Sequence, residues 1–406
     1  MIRYHAAWVV PIGQPPLRDG WVAVKGDRIV SCGSRVSASS PDGPVRQVDL
    51  GAVAIMPGLV NAHTHLELSY LRGHIPADKS FVDWIRALLA ARREHPNPRA
   101  PEILGAMSGG IAEAIACGTA LVGDIGNTMI SPSLLAANRL AGVVFNELIG
   151  FSPRDPDAFV EAAQNSLEAL TVADGVRVSL AAHAPYSVSP RILKAIRRLL
   201  DQQRLSVVSV HLAESSEESE FMRTAGGPWR SLLEDLGVWD PSWVAPGGTP
   251  VEYLDACGFL GPEILAVHGV QATGSDLASL LTRGVTLVTC PRSNECTGAG
   301  TPPISEFYKS GVRIAVGTDS LASTPDLNVF SELAAMRALA PSVPARALLE
   351  SATRHGAEAL GFGADYGTIA PGRRARLLAV HVPPGIGDVE EYLVSGITPS
   401  QMQWIE

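Results

Sequence analysis

Eight short apolar runs alternate with longer helical patterns through the middle of this 406-residue chain, and this alternation constrains the fold more than any other feature. The runs are Ile55–Asn61, Ala120–Asp124, Val143–Leu148, Val176–Ala182, Ser206–His211, Ile264–His268, Val285–Thr289 and Arg313–Gly317. Each is rich in Val, Ile, Leu and Ala on both faces, as a parallel strand covered on both sides requires. Between them, Phe81–Arg93, Glu102–Cys117, Ala158–Leu170, Arg191–Gln203 and Asp276–Thr282 carry helical periodicity. The pattern predicts an α/β fold, a (β/α)8 TIM-like barrel with its active site at the C-terminal ends of the strands. An open doubly wound sheet is the alternative.

The two ends lack this alternation. Near the start, Trp21–Lys25 and Arg28–Ser31 flank a Gly26–Asp27 turn and read as a hairpin. Near the end, a Pro371–Gly372 turn precedes Arg376–Val382, which has strand character. We expect a small composite β-sandwich domain from residues 1–54 and 366–406, with the barrel, residues 55–365, between them. Residues 225–250 form a Gly/Pro/Trp-rich connection that is long for its place. It reads either as a lid or as a surface excursion packed by Trp229, Trp239 and Trp243.

Composition narrows the function. Hydrophobic residues make up 46% and charged residues 18%, enough for a large core. Lys and Arg number 32 against 41 Asp and Glu, a net charge of −9. That balance argues against nucleic-acid binding or a polybasic membrane surface. Cys32, Cys117, Cys257, Cys290 and Cys296 contain no CxxC pair, so a reducing cytoplasm is expected. Pro11 cuts short the N-terminal apolar run, and no stretch approaches the ~20 apolar residues of a membrane helix.

Five of the ten His stand at the C-terminal edge of a predicted strand: His63, His65, His183, His211 and His268. Asp319 follows the eighth run in the same way. A buried His is costly unless it is hydrogen-bonded or bound to metal, and a single one is usually a satisfied core residue. Five at the same end of their strands point to one site. His63 and His65, two apart on extended chain, share a face. Neutral imidazole suits a divalent cation, and Asp319 can complete a mixed N/O set. Glu214, in HLAE, stands beside that site as a general acid/base. Its bland alternative is a helix-start Glu, since Ser215–Glu218 look like an N-terminal turn and the rest of Glu214–Glu220 reads as solvated.

These residues resemble a known group. IMPGLVNAHTHL at 55–66 looks like the first-strand signature of the amidohydrolase superfamily. HLAE at 211–214, HGV at 268–270, CPRSN at 290–294 and GTDS at 317–320 resemble the later strand ends of its deaminase and chlorohydrolase branch. The resemblance spans nearly the whole chain, although Arg376 stands where the branch usually has an acidic residue. It implies one divalent metal, zinc or iron, held by His63, His65, His211 and Asp319. It implies Glu214 as proton shuttle, His268 and Asp319 around the attacking water, and Asn294 and Ser320 as supporting or lining residues.

Within the branch, HTHLELS, FVDWI, FNELIGF and HAPYSVS look most like the 6-aminodeoxyfutalosine deaminases of menaquinone biosynthesis. Glu67, Glu147, His183 and Arg292 are then candidate substrate contacts, with structural hydrogen bonds inside the mouth as the alternative. Related branches imply adenosine, S-adenosylhomocysteine, guanine or triazine substrates. A non-catalytic scaffold fits poorly, since the whole constellation is present. The partner implied is a small nucleoside or nucleobase, and a homo-oligomer is compatible with it.

Overall fold

The computed structural model describes residues 1–34, 45–77 and 80–405. Residues 35–44 of the expected N-terminal β segment lie outside the described residues. Eight parallel strands follow one another in chain order around a barrel: Leu59–Thr64, Thr119–Gly126, Ala141–Leu148, Val176–Ala182, Val208–Leu212, Ile264–His268, Thr286–Thr289 and Arg313–Val316. Every residue of the first, second, fifth, sixth and seventh is buried. This is why those runs show no polar alternation.

The barrel closes where the eighth strand meets the first. Asn61 exchanges two hydrogen bonds with Thr318, Nδ2 to Oγ1 at 2.8 Å and Thr318 N to Oδ1 at 3.0 Å. The Thr318 and Asp319 amides both donate to the His63 carbonyl, at 3.1 and 3.0 Å. A side chain at Gly317 would put its Cβ 2.7 Å from His63 Cβ, so only Gly permits this approach.

One predicted run divides. Ile55–Asn61 is not a single strand: Val53–Pro57 pairs antiparallel with Leu377–His381, and the barrel strand begins at Leu59. The apolar run serves two sheets and turns at Gly58, where a Cβ would lie 2.6 Å from Ala120 Cβ. The separate sheet has seven strands drawn from both termini: Ile2–Val9, Leu17–Lys25, Arg28–Ser34, Arg46–Asp49, Val53–Pro57, Leu377–His381 and Met402–Trp404. The expected hairpin is present, with Lys25 opposite Arg28.

Two segments cover the mouth. Helix Phe81–Arg93 starts at Ser80, whose side chain accepts from the Asp83 amide, and buries Phe81, Val82, Trp84 and Leu88. The 225–250 connection holds helix Gly227–Asp235 and is a packed excursion. Trp229 stacks on Tyr186 at 3.6 Å, Trp243 on Phe221 at 4.7 Å and Trp239 on Phe151 at 5.6 Å. Phe81 meets Trp229, and Arg86 pairs with Asp235 at 2.7 Å, so the excursion braces the helix.

Candidate active site

Parallel strands end together, so side chains far apart in sequence meet at one rim. His63 and His65 leave the first strand, His211 the fifth, His268 the sixth, and Asp319 follows the eighth. His63 Nε2 lies 3.3 Å from His211 Nε2. Asp319 Oδ1 lies 3.6 Å from His65 Nε2 and 3.9 Å from His63 Nε2. Asp319 Oδ2 is turned away and accepts from Ser293 Oγ at 2.5 Å. Ala213, His268 and Asp319 hold left-handed φ values of 51°, 82° and 61°. Such conformations cost about 1–3 kcal/mol each and persist where the surroundings over-determine them.

This cluster suits a cation. Burial holds the His63 imidazole well below 6.5 and pushes His65 and His211 down to about 4, so the rings are neutral. His211 Nδ1 lies 3.0 Å from the His183 carbonyl, which requires the proton on Nδ1 and leaves Nε2 with a lone pair facing the centre. Candidate ligand atoms fall in three overlapping groups, His63/His65/Asp319, His63/His211/His268 and Glu147/His183/His211, each with its atoms within 4.8 Å of one another. Imidazole nitrogens with one carboxylate oxygen form an N/O set for a divalent ion.

The proton-handling groups stand beside it. Glu214 is buried, with Oε1 3.4 Å from His268 Nε2. Burial raises the Glu214 carboxyl well above the usual range, and the Asp319 charge adds to this. Asn294 Nδ2 is 2.9 Å from His268 Nδ1. With the amide nitrogen donating to that atom, His268 Nε2 carries the proton and is a donor toward the centre.

The remaining sequence candidates separate. His183 and Ser320 line a 70 Å³ cavity with His65, Tyr186 and Glu214. Glu147 stands next to it, with Oε1 3.8 Å from His211 Nδ1 and Oε2 accepting from Asn127 Nδ2 at 3.1 Å. Asn294 backs His268 and is not among the residues lining that cavity. Glu67 faces a neighbouring 270 Å³ cavity with Tyr70, Arg92 and His95, and its Oε2 accepts from the Asn127 and Thr128 amides and the Thr128 hydroxyl.

Arg292 requires correction as a substrate contact. Its guanidinium pairs with Glu332 at 2.7 Å and Asp326 at 2.9 Å, which anchors helix Pro291–Cys296. That helix presents Ser293 and Asn294 to Asp319 and His268. Glu218 also departs from expectation: it is fully buried rather than solvated. Three residues escaped the sequence reading. Ser293 lies inside the CPRSN motif. Glu218 sits three after Ser215, the spacing of a capping box. Asp124 lies two residues before the end of the second strand, and its Oδ1 accepts from the Leu66 amide at 2.8 Å.

Residues 54–399 match the Amidohydrolase family. The chain belongs to that family. It is 32% identical over 352 residues to an aminodeoxyfutalosine deaminase of Deinococcus radiodurans, covering 84% of this chain and 81% of the relative. A 5-methylthioadenosine/S-adenosylhomocysteine deaminase of Nitratidesulfovibrio vulgaris is 29% identical over 374 residues, covering 89% and 79%. The crystal structure of Helicobacter pylori aminofutalosine deaminase in complex with methylthio-coformycin superposes with a TM-score of 0.83 at 25% identity, covering 100% of this chain and 98% of that one. This amidohydrolase is a hydrolytic deaminase of a metal-dependent family. No helix among the described residues is long and apolar enough to cross a membrane.

Proposed function

We propose that this amidohydrolase converts the adenine of a nucleoside to hypoxanthine with release of ammonia, and that 6-aminodeoxyfutalosine, a precursor in menaquinone biosynthesis, is its substrate. The observation carrying the chemistry is the buried Glu214 carboxyl 3.4 Å from His268 Nε2, beside the His63/His65/His211/Asp319 cluster. The Deinococcus relative supports the substrate. His63, His65, His211 and Asp319 would hold one divalent ion, Zn2+ or Fe2+. Such an ion supplies Lewis acidity, which makes water a nucleophile near neutral pH.

The chain's own groups do the rest. The raised Glu214 keeps its proton to higher pH and can give it to the ring nitrogen beside the amine-bearing carbon. That transfer makes the carbon more electrophilic. His268 Nε2 donates toward the oxygen that gains charge in the tetrahedral state. Asp319, held by Ser293 and the Ser320 amide, accepts a proton from the attacking water at Oδ1. In balance, water and the C–NH2 group give C=O and NH3.

The Nitratidesulfovibrio relative favours a second reading, a methylthioadenosine or S-adenosylhomocysteine substrate. Ammonia release from aminodeoxyfutalosine, methylthioadenosine, S-adenosylhomocysteine, adenosine and guanine decides between them. We expect the highest kcat/KM on aminodeoxyfutalosine. A higher value on either sulfur nucleoside establishes the second reading, and turnover of guanine alone overturns both.

A further inference from the structure

The chain leaves the fifth strand at Leu212 and must turn sharply to bring Glu214 back over the mouth. The turn places Ala213 at φ 51°, a conformation that costs an L-residue about 1–2 kcal/mol. Something must hold it there. Glu218 Oε1 accepts from the Ala213 amide at 3.1 Å, and Oε2 accepts from the Glu214 amide at 2.7 Å. The Glu218 amide in turn donates to Ser215 Oγ at 3.2 Å, the N-cap of helix Ser216–Thr224. From the opposite side, the Gln271 amide donates to the Ala213 carbonyl at 2.8 Å.

An ordinary capping box stops at the N-cap's own amide. This carboxylate reaches further back, to the two residues before the cap. It does so while wholly shielded from water, at 0% exposure. Burying a carboxylate is costly unless its oxygens are matched by donors, and here those donors are the amides of the turn that carries Glu214. A helix-capping duty alone would need neither contact.

We propose that Glu218 is the positioning residue of Glu214: its two oxygens grip the Ala213–Glu214 backbone and so aim the Glu214 carboxyl at His268 and the reacting ring. The inference rests on the reading of Glu214 as proton shuttle. Glu218 touches no substrate and acts only through Glu214.

The test is a double-mutant cycle on the purified full-length enzyme, with kcat, KM, bound metal and thermal midpoint measured for E218Q, E218A, E214Q and E218Q/E214Q. We expect E218A to lower kcat about 10- to 100-fold, the scale of a 1 Å misplacement, with KM and metal content retained. E218Q keeps one acceptor and should lose less. On the E214Q background, E218Q should lower the residual kcat no further. A purely structural role would multiply the two losses and overturn the inference, as would an E218Q enzyme with full kcat. If E218A fails to fold, E218Q and the cycle still decide. A fully active E214Q enzyme removes Glu214 from the mechanism and the positioning role with it, a failure recognisable because Glu214 itself is then dispensable.

Discussion

The barrel mouth and the terminal sheet bury different kinds of side chain. At the mouth, His63, Asp124, Glu214, Glu218, His268 and Asp319 are shielded from water. In the sheet, the shielded cluster is Tyr4, Val22, Ile29, Ile55, Ile369 and Leu377. Charges near the sheet meet outside it: Arg374 reaches Asp27 and Asp174, whose side chains are 68% and 93% exposed. Burying apolar area stabilises, whereas burying ionisable groups and holding His268 and Asp319 left-handed destabilises. The mouth is therefore a strained polar site carried by the apolar packing around it. Substitutions at the mouth should change chemistry more than folding, and substitutions in the sheet the reverse.

The largest expected effect is at His211. His211→Ala removes a lone pair aimed at the cation site and should cost both bound metal and turnover. A divalent ion lowers the pKa of a bound water, and without that effect water is a poor nucleophile near neutral pH, so turnover should fall to background. Metal content by elemental analysis and ammonia release check it, with circular dichroism confirming that the barrel remains. A His211→Ala enzyme that keeps full metal and turnover would break the contrast at its centre.

The sequence made one half of this contrast easier to read than the other. Strand positions were legible because barrel strands are apolar on both faces, and the ligand candidates because His and Asp recur at their C-terminal ends. The corner at Gly58 was not, since an apolar run carries no mark of a change of sheet. Nor were the supporting groups. Arg292 reads as either a substrate contact or a structural group until Glu332, forty positions later in the chain, is seen to face it. Glu218 reads as one more acid in a solvated run, because its capping-box spacing from Ser215 marks a helix start but not the burial that packing gives it. Contacts that cross the fold depend on packing, and local pattern does not encode them.

An intermediate effect is expected from acid. Burial, with the Arg92 charge adding to it, pushes His183 down to about 4 from an ordinary value of 6.5. Between those values the unfolded chain binds a proton that the folded chain does not. The stability His183 permits is thus complete above pH 6.5 and is lost as pH falls toward 4. Asp124 and Glu218, pushed up to about 7, act with the opposite sign, so one variant must be compared with the parent. Denaturant unfolding of metal-free protein at pH 7 and pH 5 should show His183→Asn losing up to about 2 kcal/mol less than the parent. Equal losses would mean that His183 ionises freely in the folded mouth.

The smallest effect is expected at the sheet's edge. Arg374 reaches Asp27 and Asp174 at 3.3 Å and Asp365 at 3.9 Å, with two of these partners largely in water. Exposed pairs of this kind are each worth about 0.2–1 kcal/mol and are screened by salt. Arg374→Ala should therefore lower the denaturation midpoint slightly at low ionic strength and scarcely at all in high salt. Its kcat and KM should equal the parent's, because the altered charge lies by the hairpin turn at Asp27 rather than among the strand ends that carry the histidines. A salt-independent loss would show that Arg374 holds the sheet by packing its stem instead of by charge. A change in kcat would show that the sheet is coupled to the mouth, and the two regions would then no longer be separable in the way their burial suggests.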